Sequence, residues 1–142
     1  MKIVDLNMLL YAVNSDAKQH QRARAWWEAA VVDEERVGLP WVVLLGFLRL
    51  ATNARVFPKP LSPDSAISKV EAWLGQENIQ VVRERDDHWE CLRELLRETG
   101  VAGNLTSDAH LAALALCHDA VLVSSDRDFA RFKGLRVENP IA

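Results

Sequence analysis

Residues 120–128 read AVLVSSDRD, and this stretch decides how the chain is read. Val121 to Val123 is a short, continuously apolar run, cut off by two serines and an aspartate. A run this short and this apolar is a strand buried on both faces. Its polar end, Ser124-Ser125-Asp126, places a carboxylate where the strand stops. The N-terminus repeats the pattern: Lys2 to Val4 predicts a strand, and Asp5 follows it directly. Ile79 to Val82 and Leu135 to Val137 are further short strands.

Between the strands the pattern turns helical. Asn7 to Val13 reads as a loop turning into a helix. Lys18 to Val32 repeats Ala23, Trp26, Trp27 and Ala30 at three- and four-residue steps. Trp26 and Trp27, being adjacent, cannot both face inward from one narrow stripe. Gly38 and Pro40 punctuate the entry to Trp41–Thr52, an apolar segment read as a buried helix with Arg49 as its only charge. Three prolines mark 53–63 as a loop. Ser62 is a good N-cap with Pro63 at the first helical position, starting a helix that reaches about Gly75. Asp86 or Asp87 starts another, ending at Thr99-Gly100. Thr106 or Ser107 is expected to cap a helix from Asp108 to about His118, and Asp126 to Phe132 is a short helical turn. Strands alternating with helices predict an α/β fold of three layers: a short central parallel sheet flanked by helices on both faces. At 142 residues the chain is expected to form one domain, 1–142.

Composition narrows the function. Hydrophobic residues at 49% and charged residues at 26% are ordinary for a globular protein. A formal net charge of −3 argues against nucleic-acid binding by bulk electrostatics, and leaves room for a local arginine set around an acidic site. Cys91 and Cys117 lack a CxxC spacing and read as reduced thiols, which fits a cytoplasmic protein. No signal peptide is recognisable, and no segment approaches the about 20 apolar residues that span a bilayer. The four histidines form no metal-ligand motif.

The three aspartates Asp5, Asp108 and Asp126 sit where active sites of parallel sheets lie, beyond the strand ends near a topological switch point. Magnesium and manganese are hard cations that take carboxylate and water oxygens, and such an ion activates water against a phosphodiester. Singly, each aspartate also has an ordinary role in a turn or, for Asp108, at a helix N-terminus. Asp128 is open between joining the site and capping the short helix. Asn7, two residues after Asp5, either bonds the site or forms a turn. Ser124 either orients a carboxylate or simply ends a strand. Arg49 either meets the site or a substrate phosphate, or forms a structural ion pair. Arg55, Lys59, Arg127, Arg131 and Lys133 are either phosphate contacts or solvated charges.

The stretches VDLNMLLYA, LPWVVLLGFLRLATNARVF, GNLTSDAHLAALAL and VSSDRDFARFKGLRVENP span nearly the whole chain, and together they resemble a PIN-domain ribonuclease of the VapC toxin type. The resemblance implies that Asp5, Asp108 and Asp126 ligate Mg2+ or Mn2+. It also implies RNA hydrolysis, inhibition by a cognate VapB-like antitoxin, and a homodimer. One departure stands out. Most PIN domains carry a further acid on the helix near Leu44–Gly46, and this chain has none there. Two other readings therefore stay open: a catalytically weak or idle PIN-like module that binds RNA or an antitoxin, and a phospho-acceptor receiver domain. The latter needs a lysine near the last strands, and none is suitably placed.

Overall fold

The computed structural model describes residues 1–100 and 103–142, position 104 by its backbone alone. The described residues form strands β1 (Lys2–Val4), β2 (Val37–Pro40), β3 (Ile79–Val82), β4 (Val121–Val123) and β5 (Val137–Glu138). The helices are α1 (Leu6–Val13), α2 (His20–Ala30), α3 (Trp41–Ala51), α4 (Pro63–Leu74), α5 (His88–Thr99) and α6 (Thr106–Cys117). Two 3-10 turns, Gly103–Leu105 and Arg127–Arg131, precede α6 and follow β4.

All strand pairs are parallel, in the order β3-β2-β1-β4-β5. The chain moves outward from β1 through β2 to β3, then jumps back across β1 to β4. Right-handed crossovers put α1–α4 on one face, and the reversed direction puts α5 and α6 on the other. Helix contacts follow that division, running α1–α2, α1–α3 and α3–α4 in one group and α5–α6 in the other. Ile3 and Val4 point to opposite faces, and both are fully buried, so both faces are covered. The expected three-layer α/β fold is what the chain forms.

Strand β2 was not anticipated, because Gly38 and Pro40 look like turn residues. Here each has a structural reason. A Cβ on Gly38 would run into the Val82 side chain of β3. Pro40 is the last residue of the strand and its extended backbone starts α3, so its missing N–H falls at a helix entry. The cap expected at Thr106 or Ser107 also differs. Helix α6 begins at Thr106 straight from the preceding 3-10 turn, without a side-chain cap. Ser62 caps α4 as expected, accepting from the Ser65 N–H at 3.1 Å.

On the α1–α4 face, Trp73 meets Trp27 edge-on with centroids 5.6 Å apart and Phe47 at 4.7 Å, joining α2, α3 and α4. Trp27 is buried and Trp26 only partly so, as their adjacency requires. On the other face α6 buries four alanines, which lets the sheet and α5 approach closely. Helix α3 is not wholly buried: Val43, Leu44, Gly46 and Phe47 face inward, but Leu45 is 60% exposed, with Trp41 and Val42 beside it. No helix among the described residues is long and apolar enough to cross a membrane.

Candidate metal centre

The reversal of strand order falls between β1 and β4, and both strands end there in polar residues. The Asp5 N–H donates to the Val123 carbonyl at 2.9 Å, extending the ladder one residue beyond β1. Asp5 is the N-cap of α1, its Oδ1 accepting from the Leu6 N–H at 2.7 Å. Its Oδ2 accepts from the Ser124 hydroxyl at 2.6 Å. Ser124 is buried, and its Oγ in turn accepts the Asp126 N–H at 3.0 Å. One hydroxyl thus ties the end of β1 to the turn after β4. Asp126 then caps the following 3-10 turn, its Oδ1 accepting the Asp128 N–H at 2.9 Å.

Asp108 enters from the first turn of α6, on the opposite face. Carboxylate oxygens of Asp108, Asp126 and Asp128 lie within 4.8 Å of one another, the only such acidic, histidine or cysteine group among the described residues. Asp5 stands outside that closest set and joins it through Ser124. Asp5, Asp108 and Asp126 thus lie at one end of the sheet, and Asp128, left open between the site and the cap of the short helix, lies with them. Its signal in the sequence was the Asp-x-Asp spacing across a 3-10 turn, which returns the second carboxylate toward the first.

The electrostatics reflect crowding. The Asp108 carboxyl is pushed up to about 6, first by burial and then by the charges of Asp126, Asp5 and Asp128. Asp5 is also raised, chiefly by burial, with the Asp126 charge adding to it. The bonds from Ser124 and Leu6 oppose that rise. Arg131 is the one cation paired to this group among the described residues, with Nη2 3.7 Å from Asp128 Oδ1.

The supporting residues divide. Ser124 bridges the Asp5 carboxylate and the backbone N–H of Asp126. Asn7 makes no side-chain bond to an aspartate; its Oδ1 is buried without a hydrogen-bond partner. Arg49 is exposed at the end of α3 and forms no ion pair among the described residues, so the structural ion pair is absent. Arg55, Lys59, Arg127 and Lys133 are exposed too. Helix α3 offers no acid, and the residues it turns inward are Val43, Leu44, Gly46 and Phe47. The histidines bond elsewhere: His88 Nε2 to His110 Nδ1 at 2.9 Å, His118 to the Arg83 carbonyl and His20 to that of Tyr11. Both cysteines are free thiols, and they touch each other across the α5–α6 contact.

An all-carboxylate donor set, in which burial and crowding disfavour the charge on Asp5 and Asp108, matches a hard divalent cation. It lacks the imidazole and thiolate ligands that zinc or copper sites favour. Asn7 Oδ1, two residues along the chain from Asp5, is a buried acceptor without a protein partner, the kind of group an ordered water satisfies.

The model of the PIN domain matches residues 2–135. Ribonuclease VapC37 of Mycobacterium tuberculosis is 45% identical over 142 residues, covering 100% of this chain and 99% of that protein. Ribonuclease VapC33 of the same species is 44% identical over 141 residues, covering 99% of each. Among solved structures, the VapBC2 complex of Rickettsia felis, bound to a DNA fragment from its promoter, aligns with a TM-score of 0.71 at 20% identity, covering 97% of both chains. Mycobacterium tuberculosis VapC20, described as a toxin that cleaves the sarcin-ricin loop, aligns at 0.69 with 18% identity, covering 96% of this chain and 99% of that one.

Proposed function

Since the chain belongs to the PIN-domain family, with VapC ribonucleases as its relatives, we propose that it is a metal-dependent endoribonuclease and the toxin of a toxin–antitoxin pair. The observation that carries this reading is the convergence of Asp108, Asp126 and Asp128 beside a half-buried Asp5 at the β1/β4 switch point. Asp5, Asp108 and Asp126 would hold Mg2+ or Mn2+, with Asp128 as the fourth acid in place of one from α3. The bound ion would supply Lewis-acid charge for a phosphodiester and a water acidified enough to attack it.

The protein's own contribution is placement. Ser124 and the Leu6 amide hold both oxygens of Asp5, so the carboxylate is oriented before any ligand arrives. The Asp108 carboxyl, pushed up to about 6 by burial and by its acidic neighbours, would lose its proton on binding a dication, which relieves the crowding of charge. Exposed Arg127, between Asp126 and Asp128 in the chain, offers a forked donor to an RNA phosphate beside the acidic centre. A VapB-like antitoxin as inhibitor, a homodimer and a cytoplasmic setting complete the reading; VapBC complexes of the same fold are its precedent.

The test is cleavage of RNA by purified protein with Mn2+ or Mg2+, beside EDTA and the variants Asp5→Asn and Asp126→Asn. Sequencing of the new 5′ ends should show discrete sites that vanish with EDTA and in both variants. Ends that persist in folded Asp5→Asn would sink the proposal. The acid-free helix α3 favours a second reading, a module that binds without cutting. Mn2+ binding with no new RNA ends would establish it.

A further inference from the structure

Gly46 lies in the middle of α3, where glycine has no conformational reason to be: it is neither at a helix end nor at positive φ. Its reason is a close approach. A Cβ at position 46 would lie 2.5 Å from Leu6 Cδ2, with Leu6 Cγ and Cδ1 at 3.5 Å. No contact between carbon atoms survives at 2.5 Å, so the Leu6 side chain fills the space that any other residue at 46 would take. Neighbouring positions on α3 are closed to this task. Leu44 is fully buried in the core, and Leu45 points to solvent.

Leu6 is the residue whose N–H donates to Asp5 Oδ1. Its side chain is lodged against α3, and the next turn of α1 is anchored by the buried Met8 and Leu9. We infer that Gly46 and Leu6 are a matched pair that positions Asp5: the notch in α3 fixes the Leu6 side chain, and so the amide that orients the carboxylate from one side while Ser124 holds it from the other. Helix α3 serves the centre by shape and brings no charge to it. This rests on the metal-centre reading above, and it makes Gly46 and Leu6 positioning residues.

The volume arithmetic suggests the experiment. Gly46→Ala adds one carbon at the notch, and Leu6→Val removes one opposite it, so the double variant conserves the total. Four proteins are compared: wild type, Gly46→Ala, Leu6→Val and the pair. Two readouts are taken, Mn2+ affinity by titration calorimetry and the Leu6 amide proton shift in metal-free protein, which reports the bond to Asp5 directly. Each single variant should weaken Mn2+ binding about tenfold, the lower end for losing a group that orients a metal ligand, and move the Leu6 amide upfield. The double variant should bind within about threefold of wild type and return the amide toward its original position, a non-additivity expected only of contacting residues.

A folded Gly46→Ala with wild-type Mn2+ affinity and an unmoved Leu6 amide would overturn the inference. So would a double variant no better than the worse single one. If Gly46→Ala does not fold, Leu6→Val and the double variant decide by the same two readouts. If the wild type itself binds no Mn2+, the metal reading fails, and the amide shifts alone still show whether the notch orients Asp5.

Discussion

Replacing Asp108 by asparagine should make the metal-free protein more stable. The carboxyl is held near 6 against an ordinary 3.8, about two units at ~1.4 kcal/mol each, which sets an upper bound of ~3 kcal/mol. Asp108 is half-buried, and the solvent it still meets, together with the lost attraction of its charge for the α6 N-terminus, reduces the net gain to about 1 kcal/mol. The sign follows from linkage. Between 3.8 and about 6 the folded state keeps a proton that the unfolded chain has lost, so wild-type stability falls as pH rises through this window. The penalty is fully present above it and absent well below 3.8. The variant lacks this fall. Urea denaturation in EDTA, with both proteins side by side so that all other titrations cancel, should favour Asp108→Asn by about 1 kcal/mol at pH 8, or about 3 °C in Tm. The advantage should shrink severalfold at pH 4.5. Adding Mn2+ should reverse the order, since ligand binding to the native state stabilises the wild type more. A variant no more stable than wild type at pH 8, or an advantage equal at both pH values, would refute the electrostatic reasoning.

Ser124→Ala removes the donor to Asp5 and strands the Asp126 N–H; unfolding free energy should fall by about 2 kcal/mol in urea, and Mn2+ affinity by at least about tenfold in calorimetry. Phe47→Ala empties a fully buried position against Trp73, and should cost about 3–5 kcal/mol, read from tryptophan fluorescence during denaturation. Asn78→Ala breaks the side-chain bonds to the carbonyls of Ala30 and Glu35, at 2.7 and 3.1 Å. It should cost about 1–2 kcal/mol while RNA cleavage per folded molecule stays unchanged.

What the sequence disclosed, it disclosed through local chemistry. The runs at 3–4 and 121–123 are apolar on both faces and are followed within three residues by a carboxylate, so the sheet and two corners of the centre could be read directly. Strand β2 could not, because Gly38 and Pro40 owe their presence to Val82 and to the start of α3, neither visible in a window of a few residues. The role of Asp128 depended on the tightness of a 3-10 turn, and the start of α6 on another turn just before it. The Leu6–Gly46 contact joins residues 40 positions apart, and its only trace in the sequence is a glycine where a helix wants something else.

The bond from Ser124 to Asp5 spans 119 residues, and it has a consequence for biosynthesis. Strand β1 is made long before its second neighbour in the sheet, β4, which lies more than a hundred residues further along the chain. Until then β1 keeps an open edge, Asp5 lacks the hydroxyl that steadies it, and Asp126 does not exist. Long-range pairing of this kind forms late, because the loop must close before its contacts reward it. A chain that stalls before residue 124 is therefore born without a complete centre. For a protein whose proposed activity is to destroy RNA, the layout of the sheet acts as a safety catch, released only once β4 and the turn after it have been made.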